Sequence, residues 1–280
     1  MLFLALTIIS SVLTSVVLKI NEGRGGNRGV VAGMNYVVAM ALALVMSGTE
    51  KLAIGSGWGM AGLAMGIGFV AGFILLMRGL KEIGLAIPTS AARLSMLIPV
   101  TGSILLFDER PSVPQIAGIV AGVAAFILLG LAQRRRDTAA RLDLGAIGLL
   151  VSIFAIVGTT DFGMKIAKTN GVDGDALTVY IFAAASATCW IWVALKRVRV
   201  TGHDLITGAL LGIPNYFSVY FLLLALGRLN ASIVFPSVSA GAVVLVTIVA
   251  VIFWKEHPNR TAWMGIALAA IAVALLGLNQ

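Results

Sequence analysis

Apolar residues in this chain come in long unbroken runs, and polar residues collect in the short gaps between them. Ten runs can be drawn, at 2–20, 30–47, 59–78, 84–107, 114–133, 144–164, 176–196, 206–226, 231–254 and 261–279. The gaps hold most of the charge: NEGRGGNRG, SGTEK, RGLKE, DERPSV, QRRRDTAARLD, KTNGVDGD, KRVRVTGHD, GRLN and KEHPNR. A bilayer core of about 30 Å takes roughly 20 helical residues at 1.5 Å each, so each run predicts a membrane-crossing helix. Strands are excluded, because the runs are too long and do not alternate apolar with polar. The first run lacks a basic leader and a small-residue cleavage site, and is expected to be a retained helix.

Composition strengthens this picture. Of 280 residues, 59% are hydrophobic and 11% charged, against roughly 25% charged in a soluble domain. Polar surface on that scale cannot cover a water-soluble globule, so the solvent is lipid. The net charge of +8 does not point to nucleic acid here, because loop Lys and Arg orient a membrane protein and meet anionic headgroups. Cys189 has no partner for a disulfide, and His203 and His257 sit in gaps, so neither metal nor cofactor is expected.

The runs repeat. FDERPSVPQIAGIVAGVAAFILLGL from Phe107 aligns without a gap to WKEHPNRTAWMGIALAAIAVALLGL from Trp254, an offset of 147. It pairs Glu109 with Glu256, Pro111 with Pro258, Gly118 with Gly265, and Gly130-Leu131 with Gly277-Leu278. Upstream, Ile87-Pro88-Thr89 matches Phe235-Pro236-Ser237, and Gly62 and Gly66 match Gly208 and Gly212. The chain thus divides into a first repeat at 1–133, a basic linker loop at 134–143 and a second repeat at 144–280. Five helices per repeat is an odd number, so the second repeat enters the membrane in the opposite sense. The predicted fold class is an all-α membrane protein of ten helices in two inverted five-helix repeats. Gly-xxx-Gly pairs such as Gly118/Gly122 and Gly208/Gly212 are expected to be packing seams. Pro99, inside the fourth run, predicts a kink.

The five-helix repeat and its closing pattern resemble the EamA-type branch of the drug/metabolite transporter superfamily. That pattern is a proline-bearing fourth helix, a short loop with Glu (Asp108-Glu109-Arg110; Lys255-Glu256-His257), then a Gly-containing fifth helix. The resemblance implies a ten-helix bundle with a central cavity, alternating access and a place in the bacterial inner (plasma) membrane. It supplies no catalytic motif and no substrate. It also implies cytoplasmic termini, and the charges disagree. Gaps after the odd-numbered helices hold 14 Lys and Arg and those after the even-numbered hold 5, so the positive-inside rule puts both termini outside.

Seven residues are candidates for substrate binding: Arg93, Asp161, Asn35, Tyr36, Asn215, Tyr216 and Tyr220. Arg93 falls near the middle of the fourth run, where a charge costs at least about 2.5–3.5 kcal/mol unless it meets a cavity or partner. Asp161 stands towards the end of the sixth run, either as a cavity-facing proton or cation site or as the i,i+4 partner of Lys165. Gly212, Tyr216 and Tyr220 share one helical face, with Asn215 beside them and Asn35-Tyr36 a similar pair in the second run. Thr7, Ser11, Thr14 and Ser15 form a polar stripe in the first run. Each of these polar side chains serves either ligand contact or helix–helix hydrogen bonding.

The function expected is secondary transport of a small polar or amphipathic metabolite, an amino acid or related anion or zwitterion preferred because Arg93 keeps its charge. The alternatives are a drug or toxic-metabolite exporter of the same fold, a channel, or a lipid scramblase. No GxxxxGK[ST] motif and no intramembrane cluster of catalytic residues is present, so neither ATPase nor other enzyme is expected. The partners expected are a small molecule, the bilayer and a proton or other coupling ion; a monomer satisfies the sequence.

Overall fold

A computed structural model of the chain describes residues 1–22, 27–47, 57–84, 86–134, 143–255 and 257–278. Among these residues there are helices and turns but no strands. The helices are α1 (Leu2–Glu22), α2 (Arg28–Ser47), α3 (Gly57–Glu82), α4 (Ala86–Leu94), α5 (Leu97–Leu106), α6 (Val113–Arg134), α7 (Leu144–Thr169), α8 (Gly174–Leu195), α9 (Gly202–Leu226), α10 (Ala231–Trp254) and α11 (Arg260–Leu276). Taking α4 and α5 together as one span, nine spans among the described residues are long and apolar enough to cross a membrane, and α11 is a shorter apolar helix. Glu256 and the Arg135-Arg136 pair of the linker lie outside the described residues.

Local chemistry fixes the helix starts. Thr201 caps α9 by accepting the Asp204 N–H at 3.2 Å, so the helix begins four residues before its apolar run at 206. Asn259 caps α11 through the Ala262 N–H at 2.8 Å, and Asp143 accepts the Ala146 N–H at 2.8 Å at the head of α7. Asn27 caps α2, while its own N–H donates to the buried Asp204 carboxylate at 2.8 Å.

The helices assemble into two compact units, each built from both sequence repeats. The first comprises Met1–Val70 and Ile166–Gly227. In it α2 packs on α8 and α9, and α1 packs on α9. Backbones meet at glycine: a Cβ added at Gly208 or Gly212 would lie 2.6 Å from the Val31 carbonyl oxygen or 2.7 Å from that of Asn35. Val30, Val31, Ala39 and Ala43 of α2 are buried there.

The second unit comprises Ala71–Lys165 and Arg228–Gln280, with α6 against α11 as its principal seam. A Cβ at Gly118 would stand 3.1 Å from the Ala272 carbonyl oxygen, and one at Gly265 3.2 Å from that of Ala125. Ala125 and Ala272 are separated by the same 147 residues as Gly118 and Gly265, so the contact is reciprocal. The helices run antiparallel, since 118 faces 272–276 while 265 faces 125–129. The fifth helices of the two repeats therefore have opposite senses, as an inverted repeat requires.

Candidate functional site

The fourth apolar run is two helices. It breaks at Ser95–Met96, and the reason is local. Pro99 has no N–H, so the Ser95 carbonyl lacks its i+4 donor. It accepts from the Ile98 N–H at 3.0 Å instead, and Met96 N–H bonds the Arg93 carbonyl at 3.3 Å, both tighter i→i−3 contacts. The Ser95 hydroxyl donates back to the Ala92 carbonyl at 2.7 Å. Arg93 thus sits in the last turn of α4, two residues before the break.

A face of α7 lies along this broken span, within the second unit. A Cβ at Gly158 would stand 2.6 Å from the Ser95 carbonyl oxygen and 2.6 Å from Ile98 Cδ1, so only glycine lets α7 come this close. Phe162, four residues on, lies over Gly102 of α5 and meets Phe107 edge-on at a centroid distance of 6.1 Å. Asp161 is between them in sequence, and it and Arg93 are each other's charge neighbours. Lys165, one turn further, does not pair with Asp161. Its Nζ reaches Glu109 Oε1 at 2.8 Å and stands 5.7 Å from the Phe107 ring centroid. The i,i+4 alternative for Asp161 is thereby answered: a non-local carboxylate takes the lysine.

Glu109 is the residue whose role the sequence did not reveal, where it stood only as a repeat match and as part of the closing pattern. It is buried, and besides Lys165 it accepts the N–H groups of Ala231 and Ser232 at 2.9 Å each. Asn230, the residue before α10, makes no side-chain cap, so a carboxylate from far away in sequence caps this helix. Burial alone would raise the Glu109 carboxyl, but hydrogen bonds from Lys165, Ser232 and Ala231 outweigh it and hold the group below the ordinary carboxylate range.

The other five candidates belong to the first unit. Asn35 and Tyr36 are buried on α2, and the Asn35 backbone lies against Gly212 of α9. The Tyr36 ring stacks near Phe182 with centroids 6.1 Å apart, so it joins α2 to α8. Tyr216 and Tyr220 stack on each other at 5.7 Å, and Phe217 and Phe221 stack alongside at 5.7 Å. Tyr216 is fully buried, whereas Asn215 and Tyr220 are half-buried. Among the described residues, the Asn35 Oδ1 and the Tyr216 hydroxyl are buried polar atoms with no hydrogen-bond partner. Thr7, Thr14 and Ser15 of the polar stripe bond back to carbonyls of their own helix at 2.8–3.0 Å.

Comparison with known proteins adds three likenesses. The model of the EamA-like transporter family matches residues 144–278. An uncharacterized protein of Haemophilus influenzae is 28% identical over 217 residues, which cover 76% of this chain and 74% of that protein. A crystal structure of a protein 18% identical in sequence superposes with a TM-score of 0.81 over 99% of this chain and 96% of that one, a likeness of fold. Residues 144–278, the second repeat, are thus similar to the EamA-like transporter family, in a chain whose described residues form nine helical spans long and apolar enough to cross a membrane and one shorter apolar helix.

Proposed function

We propose that this chain is an EamA-type transporter of the drug/metabolite transporter superfamily and carries a small anionic or zwitterionic metabolite, an amino acid or a close relative, by alternating access in the bacterial inner membrane. The observation that carries the reading is the broken fourth span with Arg93 beside the break. Discontinuous helices in transporters expose backbone groups that otherwise stay closed in hydrogen bonds, and such breaks accompany substrate sites near the midplane. Arg93 keeps its charge at any physiological pH and offers a carboxylate a planar pair of N–H donors. Asp161 is the acidic group that balances it when the site is empty. A substrate carboxylate competes with Asp161 for the guanidinium, and a substrate ammonium is then attracted to Asp161. The same exchange gives a proton a place to bind, which is the coupling role assigned to Asp161. Asn35, Tyr36, Asn215, Tyr216 and Tyr220, in the first unit, are proposed as further ligand-contacting residues, and Asn215 and Tyr220 are half-buried.

The test is uptake by proteoliposomes of a panel of labelled amino acids, with and without an imposed pH gradient. Arg93→Gln is expected to lower uptake of the transported compound at least tenfold while the protein still inserts, and Asp161→Asn to remove its response to the gradient. Unchanged uptake in Arg93→Gln would reduce the arginine to a tie between α4 and α7.

A further inference from the structure

The helix α8 is covered along its first half and surfaces only towards its end. None of residues 174–186 is exposed, whereas Ala187, Ile191, Trp192, Ala194 and Leu195 are. Ala187, Ile191 and Leu195 stand at i, i+4 and i+8, so they form one apolar stripe about 12 Å long. The stripe runs into Lys196-Arg197-Val198-Arg199, where three of four residues are positively charged.

The turn that follows α8 keeps these charges outside. The Arg197 N–H donates to the Ala194 carbonyl at 3.1 Å and the Val198 N–H to that of Val193 at 3.0 Å, the two bonds of a Schellman ending. Such an ending needs one left-handed residue, usually glycine, and here it is Arg197 at φ +49°. Val193 is buried and Val198 half-buried, while Lys196, Arg197 and Arg199 are exposed. A cation favours a helix C-terminus through the helix dipole, but Lys196 supplies one there in an ordinary right-handed conformation. Arginine in the glycine position therefore points to a further use of its charge. No carboxylate provides that use. Among the described residues none pairs with Lys196, Arg197 or Arg199. Asp204, the nearest acid in the sequence, is buried and engaged by the Asn27 N–H at 2.8 Å and the Thr201 hydroxyl at 2.7 Å. Trp192, beside the end of the stripe, is 39% exposed. Its ring is seated on α2, where a Cβ at Gly29 would lie 2.9 Å from its Cε3.

We propose that the end of α8 is a binding site for one anionic glycerophospholipid. Lys196, Arg197 and Arg199 receive its phosphodiester, Trp192 meets the glycerol and ester groups, and an acyl chain lies along the stripe. A guanidinium fork pairs with two phosphate oxygens at once, and an indole favours the level between headgroup and hydrocarbon. Basic loops in general attract an anionic leaflet without choosing a place on it. Here an apolar stripe, an interfacial ring and three cations without acidic partners meet at one helix end. A soluble phosphate would use the cations and leave the stripe idle, so the lipid is the ligand that fits. The inference lies beyond the function proposed above and uses none of its residues.

The experiment uses the full chain in mixed micelles and reads the quenching of Trp192 fluorescence by lipids brominated on the acyl chain. Trp192→Phe supplies the background from the remaining tryptophans. At about 5 mol%, brominated phosphatidylglycerol is expected to quench Trp192 at least threefold more than brominated phosphatidylcholine. The triple variant Lys196→Gln/Arg197→Gln/Arg199→Gln is expected to bring that ratio close to one. Lys81→Gln, which removes a cation at the end of α3, is expected to leave it unchanged. Arg197→Gly separates binding from folding, because glycine suits the left-handed backbone. Its melting temperature should equal or exceed that of wild type while the ratio falls. Inorganic phosphate at about 10 mM should not lower the ratio. Equal quenching by the two lipids, a ratio that survives the triple variant or Arg197→Gly, or an equal loss in Lys81→Gln would overturn the inference. Displacement by inorganic phosphate would overturn it too, by making a soluble anion the ligand.

Discussion

Replacing Glu109 with Gln removes one charge from a buried node that three elements share. The carboxylate faces Lys165 of α7 at 2.8 Å and the first two N–H groups of α10 at 2.9 Å each. The lysine side chain is 10% exposed and the carboxylate 5%, so little water is present to take over. Truncating one partner of such a pair leaves an uncompensated buried charge, which costs about 3–5 kcal/mol. A glutamine also presents an amide NH₂ to groups that are themselves donors, so the loss should not fall below that range. At about 2–4 °C per kcal/mol, the fall in melting temperature is roughly 6–20 °C. The chain supplies its own reporter, because Cys189 is its single cysteine and is buried. A dye that fluoresces on reacting with thiols follows unfolding in detergent, and circular dichroism at 222 nm checks it. The double variant Glu109→Gln/Lys165→Met removes both charges and should recover part of the loss. Acid gives an independent check of the sign. A carboxyl held below its ordinary value of 4.5 stabilises the fold above that pH, and the contribution disappears as pH falls through the folded-state value. The gap between wild type and Glu109→Gln should therefore be full at pH 7 and narrow below about 4.5. A melting temperature for Glu109→Gln within 2 °C of wild type at pH 7 would refute the reasoning.

Three further outcomes follow from the packing and the charges. Gly158→Val puts a Cβ bearing two methyl groups against the Ser95 carbonyl and Ile98, so it should abolish uptake while Gly148→Val, where an added Cβ meets nothing within 4 Å, leaves it near wild type; equal uptake in the two would show that the approach of α7 to the break is immaterial. Gly118→Leu and Gly265→Leu, related by the repeat, should destabilise the α6–α11 seam by similar amounts, each about 1–3 kcal/mol or more by overpacking, and a melting temperature unchanged in either would contradict the reciprocal contact. With 14 Lys and Arg in one set of loops and 5 in the other, a C-terminal phosphatase fusion should be active and a fluorescent-protein fusion dark, and the reverse pattern would place the termini in the cytoplasm.

The helices were legible because lipid leaves so few alternatives: among the described residues the ten apolar runs appear as nine spans and one shorter helix, and apart from the interrupted fourth run they differ mainly at their ends. Those differences have local causes, such as the Thr201 cap that starts α9 at Gly202 and the polar tail that carries α7 on to Thr169. The kink expected from Pro99 is present as an interruption of the helix at Ser95–Met96, where i→i−3 bonds replace the one that Pro99 cannot donate, and Gly158 of α7 packs against it. What sequence spacing did not disclose were partnerships across long separations. Lys165 stands one turn from Asp161, yet it goes to Glu109, and α10 takes its cap from that same distant residue. Nor does the repeat boundary near residue 140 coincide with the compact units, since each unit borrows helices from both repeats.

That interleaving sets a schedule for synthesis. The helix α2 is complete at Ser47, but the helices that cover its buried face, α8 and α9, end only at Leu195 and Leu226. Translation of the intervening 180 or so residues takes roughly 10–35 s at about 5–20 residues per second. For that interval Asn35 must be accommodated by lipid headgroups, water or an insertion factor, because its own neighbours do not yet exist. The apolar residues of α2 can wait in the bilayer at no cost; the amide cannot. The nascent chain should therefore be most exposed to quality control in the window between α2 and α9, and substitutions that add a further polar group to α2 should be lost there, before any transport activity could be measured.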